Sequence, residues 1–198
     1  MQRTITTPRL SLRPFEETDA RRIAYLAGDY DVAKMCGRVP HPYTMANAYD
    51  FIGWINQSGA EGKEFSFAVT APRDGLVGSC GVSRSGDPDE RVYELGYWYG
   101  VPYWGLGYAS EAARAVMDWA RAELGAKAFV AGHYMDNPAS GHVLRKLGFV
   151  STGAVELFGL ARQRTSPATR YVWPDGATTA SLDHHQGAHA PHTGAHAH

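Results

Sequence analysis

The sequence predicts a mixed α/β domain, a mostly antiparallel sheet with helices on both faces. Three observations carry this. Short runs of apolar and β-branched residues, several of them alternating at period two, are separated by turn residues. Runs with helical spacing lie between them. The strand-like run Arg91 to Tyr99 passes through a glycine loop directly into a helical run. The resulting order is strand, two helices, several antiparallel strands, helix, strand, helix, strands, which requires a sheet covered on both sides. At 198 residues, 44% hydrophobic and 20% charged, the chain is long enough for one such domain with a sizeable core.

Leu10-Ser-Leu-Arg13 alternates and is stopped by Pro14, so it is read as the first strand. Thr18 or Asp19 is expected to cap a helix running to about Gly28. Tyr30 to Thr44, broken by Gly37, Pro40 and Pro42, is expected to be irregular. Asn47 is expected to cap a second helix over about 48–60, with Phe51, Trp54 and Ile55 on one face. Phe65–Thr70 and Leu76–Val82 flank Pro72-Arg-Asp-Gly75, a hairpin signal. Strand 91–99 follows a polar turn. Helix 110–124 places Ala109, Ala113, Val116, Met117, Ala120 and Leu124 on one side. Glu111, Arg114, Asp118 and Arg121 fall on the other as a solvated ion-pair ladder. Ala128–Tyr134 is a further strand. Asn137 to Ser140 opens a short helix ended by Gly148. Strands near 150–158 and 168–173 surround a loop with Arg162 and Arg164. After Pro174 the composition shifts to Gly, Ala, Thr and His. The chain is therefore expected to divide into a domain over 1–174 and a disordered tail over 175–198.

Between strand 91–99 and helix 110–124 lies Val101-Pro-Tyr-Trp-Gly-Leu-Gly-Tyr-Ala-Ser-Glu111. Small residues at 105, 107 and 109 let backbone N–H groups approach a ligand, and the helix start behind them adds unpaired donors and partial positive charge. This combination suits phosphate or pyrophosphate. A dinucleotide fingerprint needs a third glycine where Ser110 stands, and a Walker loop needs a Gly-Lys-Ser/Thr that is absent.

Composition narrows the classes further. A net charge of −1 supplies no basic field for nucleic acid or membrane. The cations are mostly Arg; the lysines are Lys34, Lys63, Lys127 and Lys146. Cys36 and Cys80 are expected to be reduced. The start, MQRTITTPRL, lacks an apolar leader, and the expected location is cytoplasmic. His184, His185, His189, His192, His196 and His198 in the tail match no closed zinc site, and no metal is required.

Residues 135–149 read Met-Asp-Asn-Pro-Ala-Ser-Gly-His-Val-Leu-Arg-Lys-Leu-Gly-Phe. Together with Thr7 to Pro14 and with Glu94–Tyr99 running into Trp104–Ala112, this segment resembles the GNAT N-acetyltransferases. Within them it is similar to the subgroup of Rim-type ribosomal-protein N-terminal acetyltransferases. Pro40-His-Pro-Tyr43 is a weaker echo, and the resemblance spans roughly residues 5–174. It implies a GNAT fold whose central strands, here 91–99 and 128–134, splay to admit the pantetheine of acetyl-CoA. Main chain around Tyr97 and Tyr99 would meet the pantetheine amides. The segment Trp104, Gly105, Leu106, Gly107, Tyr108, Ala109, Ser110 would hold the pyrophosphate, and Asn137 would bond the pantetheine arm.

The wider family opens the loop with Gln or Arg, where Trp104 stands here. It also often places a tyrosine seven residues after the Asn to protonate the thiolate; that position is Leu144. The Rim-like subgroup assigns the task to a serine three residues after the Asn, which corresponds to Ser140. Amine attack on a thioester also needs a base, and Glu94, mid-strand on the face of Gly96 and Trp98, is the candidate. An ion pair with a loop arginine and a helix cap are the competing roles of Glu94 and Ser140. His41 and Tyr43, in the loop that lines the acceptor site in the family, and His133 are candidate acceptor contacts. Arg162 and Arg164 are read as solvated. The expected partner is an amine acceptor, either a protein N-terminus or a small molecule such as an aminoglycoside, polyamine or amino acid. A non-catalytic acyl-CoA-binding module and a metal-carrying tail are the rival readings. The chain is expected to be a monomer or homodimer.

Overall fold

The computed structural model describes residues 4–173. The expected tail, and its boundary after Pro174, lie outside the described residues. The strands are β1 (Ile5–Thr6), β2 (Ser11–Arg13), β3 (Glu64–Ala71), β4 (Gly75–Ser85), β5 (Val92–Tyr99), β6 (Ala128–Tyr134), β7 (Val150–Gly159) and β8 (Arg164–Trp173). They form one 8-stranded sheet in the order β1-β2-β3-β4-β5-β6-β8-β7. Every neighbouring pair is antiparallel except β5–β6, which is parallel. A parallel pair needs a crossover. It is supplied by α4 (Tyr108–Leu124).

The helices cover both faces, as expected. On one face α4, α5 (Pro138–Lys146) and its C-cap Leu147 bury Ala113, Val116, Leu144 and Leu147 against Phe67, Tyr93, Leu95 and Phe129. On the other, α1 (Ala20–Ala27) and α3 (Met45–Ala60) bury Ile23, Leu26, Ile52 and Ile55 against Ala68 and Leu76. Alternation along β5 divides it between these layers. Tyr93, Leu95, Tyr97 and Tyr99 belong to the α4/α5 side, and Trp98 packs on the α1/α3 side.

Several local expectations shift. The second helix starts at Met45 because Thr44, not Asn47, is the cap. Thr44 Oγ accepts from the Asn47 N–H, and Asn47 Oδ1 accepts from the Thr44 N–H. Residues 17–19 form a 3-10 turn before α1, and the Asp19 carboxylate is held by both Arg13 Nη atoms at 2.7 Å rather than capping the helix. The stretch expected to be irregular contains a one-turn helix, α2 (Tyr30–Ala33), capped by Asp29. Strand β8 begins at Arg164, across Pro167. That proline lies just past the last β6 pair, Tyr134–Ala168, so no β6 carbonyl needs its missing N–H. No described helix is long and apolar enough to cross a membrane.

The layers meet tightly where β4 crosses its neighbours. A Cβ on Gly81 would lie 2.6 Å from the Ser66 Cα and closer still to the Phe65 carbonyl, both backbone atoms that cannot swing aside. A Cβ on Gly96, its β5 partner, would meet nothing within 4 Å. Gly81→Ala should therefore lower stability by about 1–3 kcal/mol. Gly96→Ala should change it by less than about 1 kcal/mol. Urea unfolding of the two variants checks the contrast, and equal losses would contradict it.

Candidate active site

Strands β5 and β6 pair only at Val92–Ala128, Tyr93–Phe129 and Glu94–Val130. Past Glu94, β5 stays on β4 as far as the Gly78–Tyr99 pair, while β6 stays on β8 as far as Tyr134–Ala168. The sheet thus splits, and the facing edges of 95–99 and 131–134 have no ladder between them. Main-chain edges left without a ladder require other hydrogen-bonding partners. A pantetheine arm, with its amides, fits that requirement.

The glycine loop stands at the wide end of the split. The Trp104 indole N–H donates to the Tyr99 carbonyl at 2.7 Å, so Trp104 ties the loop to the end of β5. Gly105 and Gly107 have φ of +74° and +80°, a left-handed conformation that only glycine adopts at little cost. Gly107 is the N-cap of α4, and no side chain caps the helix. The N–H groups opening α4, at Tyr108 to Ser110, therefore remain for an anion. Leu106 is exposed, Ala109 packs on the core, and the Tyr108 carbonyl receives the Tyr99 hydroxyl at 3.5 Å. These features fit a diphosphate, and the small residues leave room for it.

Glu111 departs from the expected solvated ladder. Its side chain is only 17% exposed and pairs with Arg9 at 2.7 Å. The Thr7 hydroxyl and the Arg9 backbone N–H donate to its other oxygen. Burial pushes the Glu111 carboxyl up, but hydrogen bonds from Thr7 and Arg9 and the Arg9 charge outweigh it and leave it below its ordinary value.

At the mouth of α5, Asn137 is the N-cap, its Oδ1 accepting from the Ser140 N–H at 3.2 Å. Ser140 is therefore not the cap. Its hydroxyl lies 2.9 Å from the Tyr97 hydroxyl, a contact that spans the split from β5 to α5. Burial pushes the Tyr97 and Tyr99 phenols well up, so both stay protonated at neutral pH. Leu144 is fully buried in the core and offers no proton.

On the opposite face, Glu94 pairs with Arg170 of β8 at 3.0 Å. The expected loop arginine is a strand arginine, and the ion pair bridges the split just where the ladder ends. Gly96, next along the same face, is exposed mid-strand and leaves a gap beside Glu94. Nearby, Arg38 grips the buried Glu64 through two bonds of 2.8 and 2.7 Å. His41 is exposed on the 34–44 loop, its ring 5.1 Å from that of Tyr30. Tyr43 turns into the α1/α3 core and donates to the Asn47 carbonyl at 3.3 Å; burial pushes its phenol up to about 12. The Leu160 N–H donates to the Gly37 carbonyl, joining this loop to the β7–β8 turn.

The structure places His133 and corrects the reading of Arg162. His133 alternates with Phe129 and Ala131 and so lies on the α5 side, away from Glu94. Its Nδ1 is 2.8 Å from the Tyr134 carbonyl and its ring packs on Tyr171 beneath Gly141. Arg162 is not solvated. Its side chain is 7% exposed, bidentate to Asp136 and 4.1 Å above the Tyr134 ring. Buried Cys80, whose thiol burial pushes far up, is no nucleophile. Sequence reasoning missed Arg9, Tyr97's hydroxyl, Gly96 and Arg170. Arg9 lay within the quoted Thr7–Pro14 motif; the partnership of Arg170 with Glu94 had no local signal.

Known proteins share this sequence pattern and this fold. Residues 9–150 match the acetyltransferase (GNAT) domain family. The uncharacterized N-acetyltransferase p20 of Bacillus licheniformis is 30% identical over 162 residues, which is 81% of this chain and 90% of the relative. The ribosomal-protein-S5-alanine acetyltransferase of Vibrio fischeri superposes with a TM-score of 0.74 at 18% identity, covering 87% of this chain and 100% of that one. The microcin C7 self-immunity acetyltransferase MccE, solved with acetyl-CoA and AMP, gives 0.73 at 15% identity over 84% of this chain and 92% of its own. The family match covers most of the chain and the 30% identical relative spans 81% of it, so the chain belongs to the GNAT acetyltransferases.

Proposed function

We propose that this enzyme transfers the acetyl group of acetyl-CoA directly to a primary amine, with Glu94 as base and Ser140 as proton donor. The observation that carries this reading is the split at Glu94–Val130, with a carboxylate on one face and a hydroxyl pair on the other. Acetyl-CoA supplies a thioester whose acyl carbon accepts the amine and whose sulfur leaves as thiolate. The segment 104–110 holds its diphosphate, main chain at Tyr97 and Tyr99 meets its amides, and the Asn137 amide bonds its arm.

Glu94 takes a proton from the incoming amine through water and releases it to solvent. Arg170 keeps the carboxylate at the apex of the split. Ser140 gives its proton to the departing sulfur and recovers one from solvent. Tyr97 holds the serine hydroxyl, and because its phenol is raised it remains neutral across the working range. The acceptor enters on the Glu94 face, past Gly96 and between the 34–44 loop, with His41, and the β7–β8 turn; Tyr43, turned into the core, supports that loop from behind. An N-terminal peptide and a small amine both carry the required group. A panel of both, read as free thiol with acetyl-CoA, identifies the acceptor. No turnover with any amine, despite acetyl-CoA binding, would favour the non-catalytic acyl-CoA-binding module.

Glu94→Gln keeps shape and removes the base. Its rate should fall by roughly 100-fold at neutral pH and recover partly at high pH, where the amine loses its own proton. A pH–rate profile on an accepted amine checks this; wild-type turnover at pH 7 would remove Glu94 from the chemistry.

Ser140→Ala should slow turnover by about 10-fold or more, without rescue at high pH. Because Asn137 caps α5, the melting temperature should barely change. Tyr97→Phe keeps Ser140 and should cost less, about 3- to 10-fold. Tyr97 stays protonated in the wild type, so its removal should leave the alkaline limb in place up to about pH 10. Full activity in Ser140→Ala would assign the proton to water.

A further inference from the structure

The N-terminal segment reaches across the sheet to the glycine loop. We propose that Arg9 is a positioning residue of that loop, acting on the cofactor's diphosphate through the Leu106 carbonyl. This rests on the reading of 104–110 as the acetyl-CoA loop.

Arg9 Nη1 donates to the Leu106 carbonyl at 2.9 Å. Its Nε and Nη2 both reach Glu111 Oε2 at 2.7 Å, and its guanidinium lies 5.0 Å from the centre of the Tyr108 ring. The fork is thus held on two sides before it meets the loop, and it bridges two groups that a single-point cation cannot bridge together. In a planar trans peptide the carbonyl and the next N–H point opposite ways. Gripping Leu106 therefore turns the Gly107 N–H away from Arg9 and fixes one donor of the anion cradle. The loop needs such a hold because left-handed glycines at 105 and 107 leave its backbone otherwise free to rotate.

A second effect works in the same direction. Glu111 stands in the first turn of α4, where a bare carboxylate repels an incoming phosphate. Arg9 and Thr7 hold and neutralise it.

The test compares acetyl-CoA with S-acetylpantetheine, which has the same thioester and no phosphate. Arg9→Met should raise KM for acetyl-CoA about 10-fold, leave kcat within about twofold, and leave kcat/KM for S-acetylpantetheine within about twofold. Arg9→Lys keeps the charge on Glu111 but not the fork and should recover only a minor part of the loss, leaving KM for acetyl-CoA at least about 5-fold raised. It also carries the test if the methionine variant does not fold. Equal losses with both thioesters would mean general damage, and full recovery in Arg9→Lys would mean charge alone; either overturns the proposal. A wild-type enzyme without preference for acetyl-CoA over S-acetylpantetheine would instead overturn the reading of the loop itself.

Discussion

The structure depends on the short parallel seam between β5 and β6. On one side, β1 to β5 form an antiparallel half-sheet; on the other, β6, β8 and β7 form a second. Each half is held by long hairpin ladders that follow their own twist. The seam has only the pairs from Val92–Ala128 to Glu94–Val130. Two independently twisted halves joined at one end must diverge at the other. The cleft is therefore a consequence of topology, and the same topology brings a carboxylate, an exposed glycine and a hydroxyl pair to its edges.

Other contacts keep the halves together without closing the cleft. Helices α4 and α5 share one core that includes Leu95 of the first half and Phe129 and Tyr171 of the second. Arg170–Glu94 crosses on one face and Tyr97–Ser140 on the other. Both bridges are polar and made by side chains, so a ligand or water can replace them one bond at a time. An apolar plug at the same place would have to be moved whole.

Arginine recurs at several of the joints between segments. Arg13–Asp19, Arg38–Glu64 and Arg162–Asp136 are bidentate pairs, and Arg9 forks between Glu111 and the Leu106 carbonyl. The planar guanidinium fixes direction as well as distance, which the flexible ammonium of lysine does not. The preference for Arg over Lys, uninformative as composition, thus has a structural use at each of these joints.

Much of the fold was legible from the chain alone. Period-two and helical spacings, the Pro72–Gly75 turn and the glycine loop gave the strand and helix order, because side-chain alternation and backbone freedom are local properties. The glycine loop was legible from local chemistry and Glu94 was a candidate from its place in a strand, whereas Ser140 entered only through the family resemblance. Boundaries moved where a side chain chose a partner the sequence does not rank, as with Thr44 over Asn47 and Asp19 turning to Arg13. What only tertiary structure decided was which side each residue serves. His133 falls on the α5 face, Arg162 pairs with Asp136 over Tyr134, Glu111 leaves its helix ladder for Arg9, and Glu94 meets Arg170. Those outcomes depend on how two half-sheets and four packed helices meet in space, and pairings between residues so far apart along the chain leave no local periodicity to read.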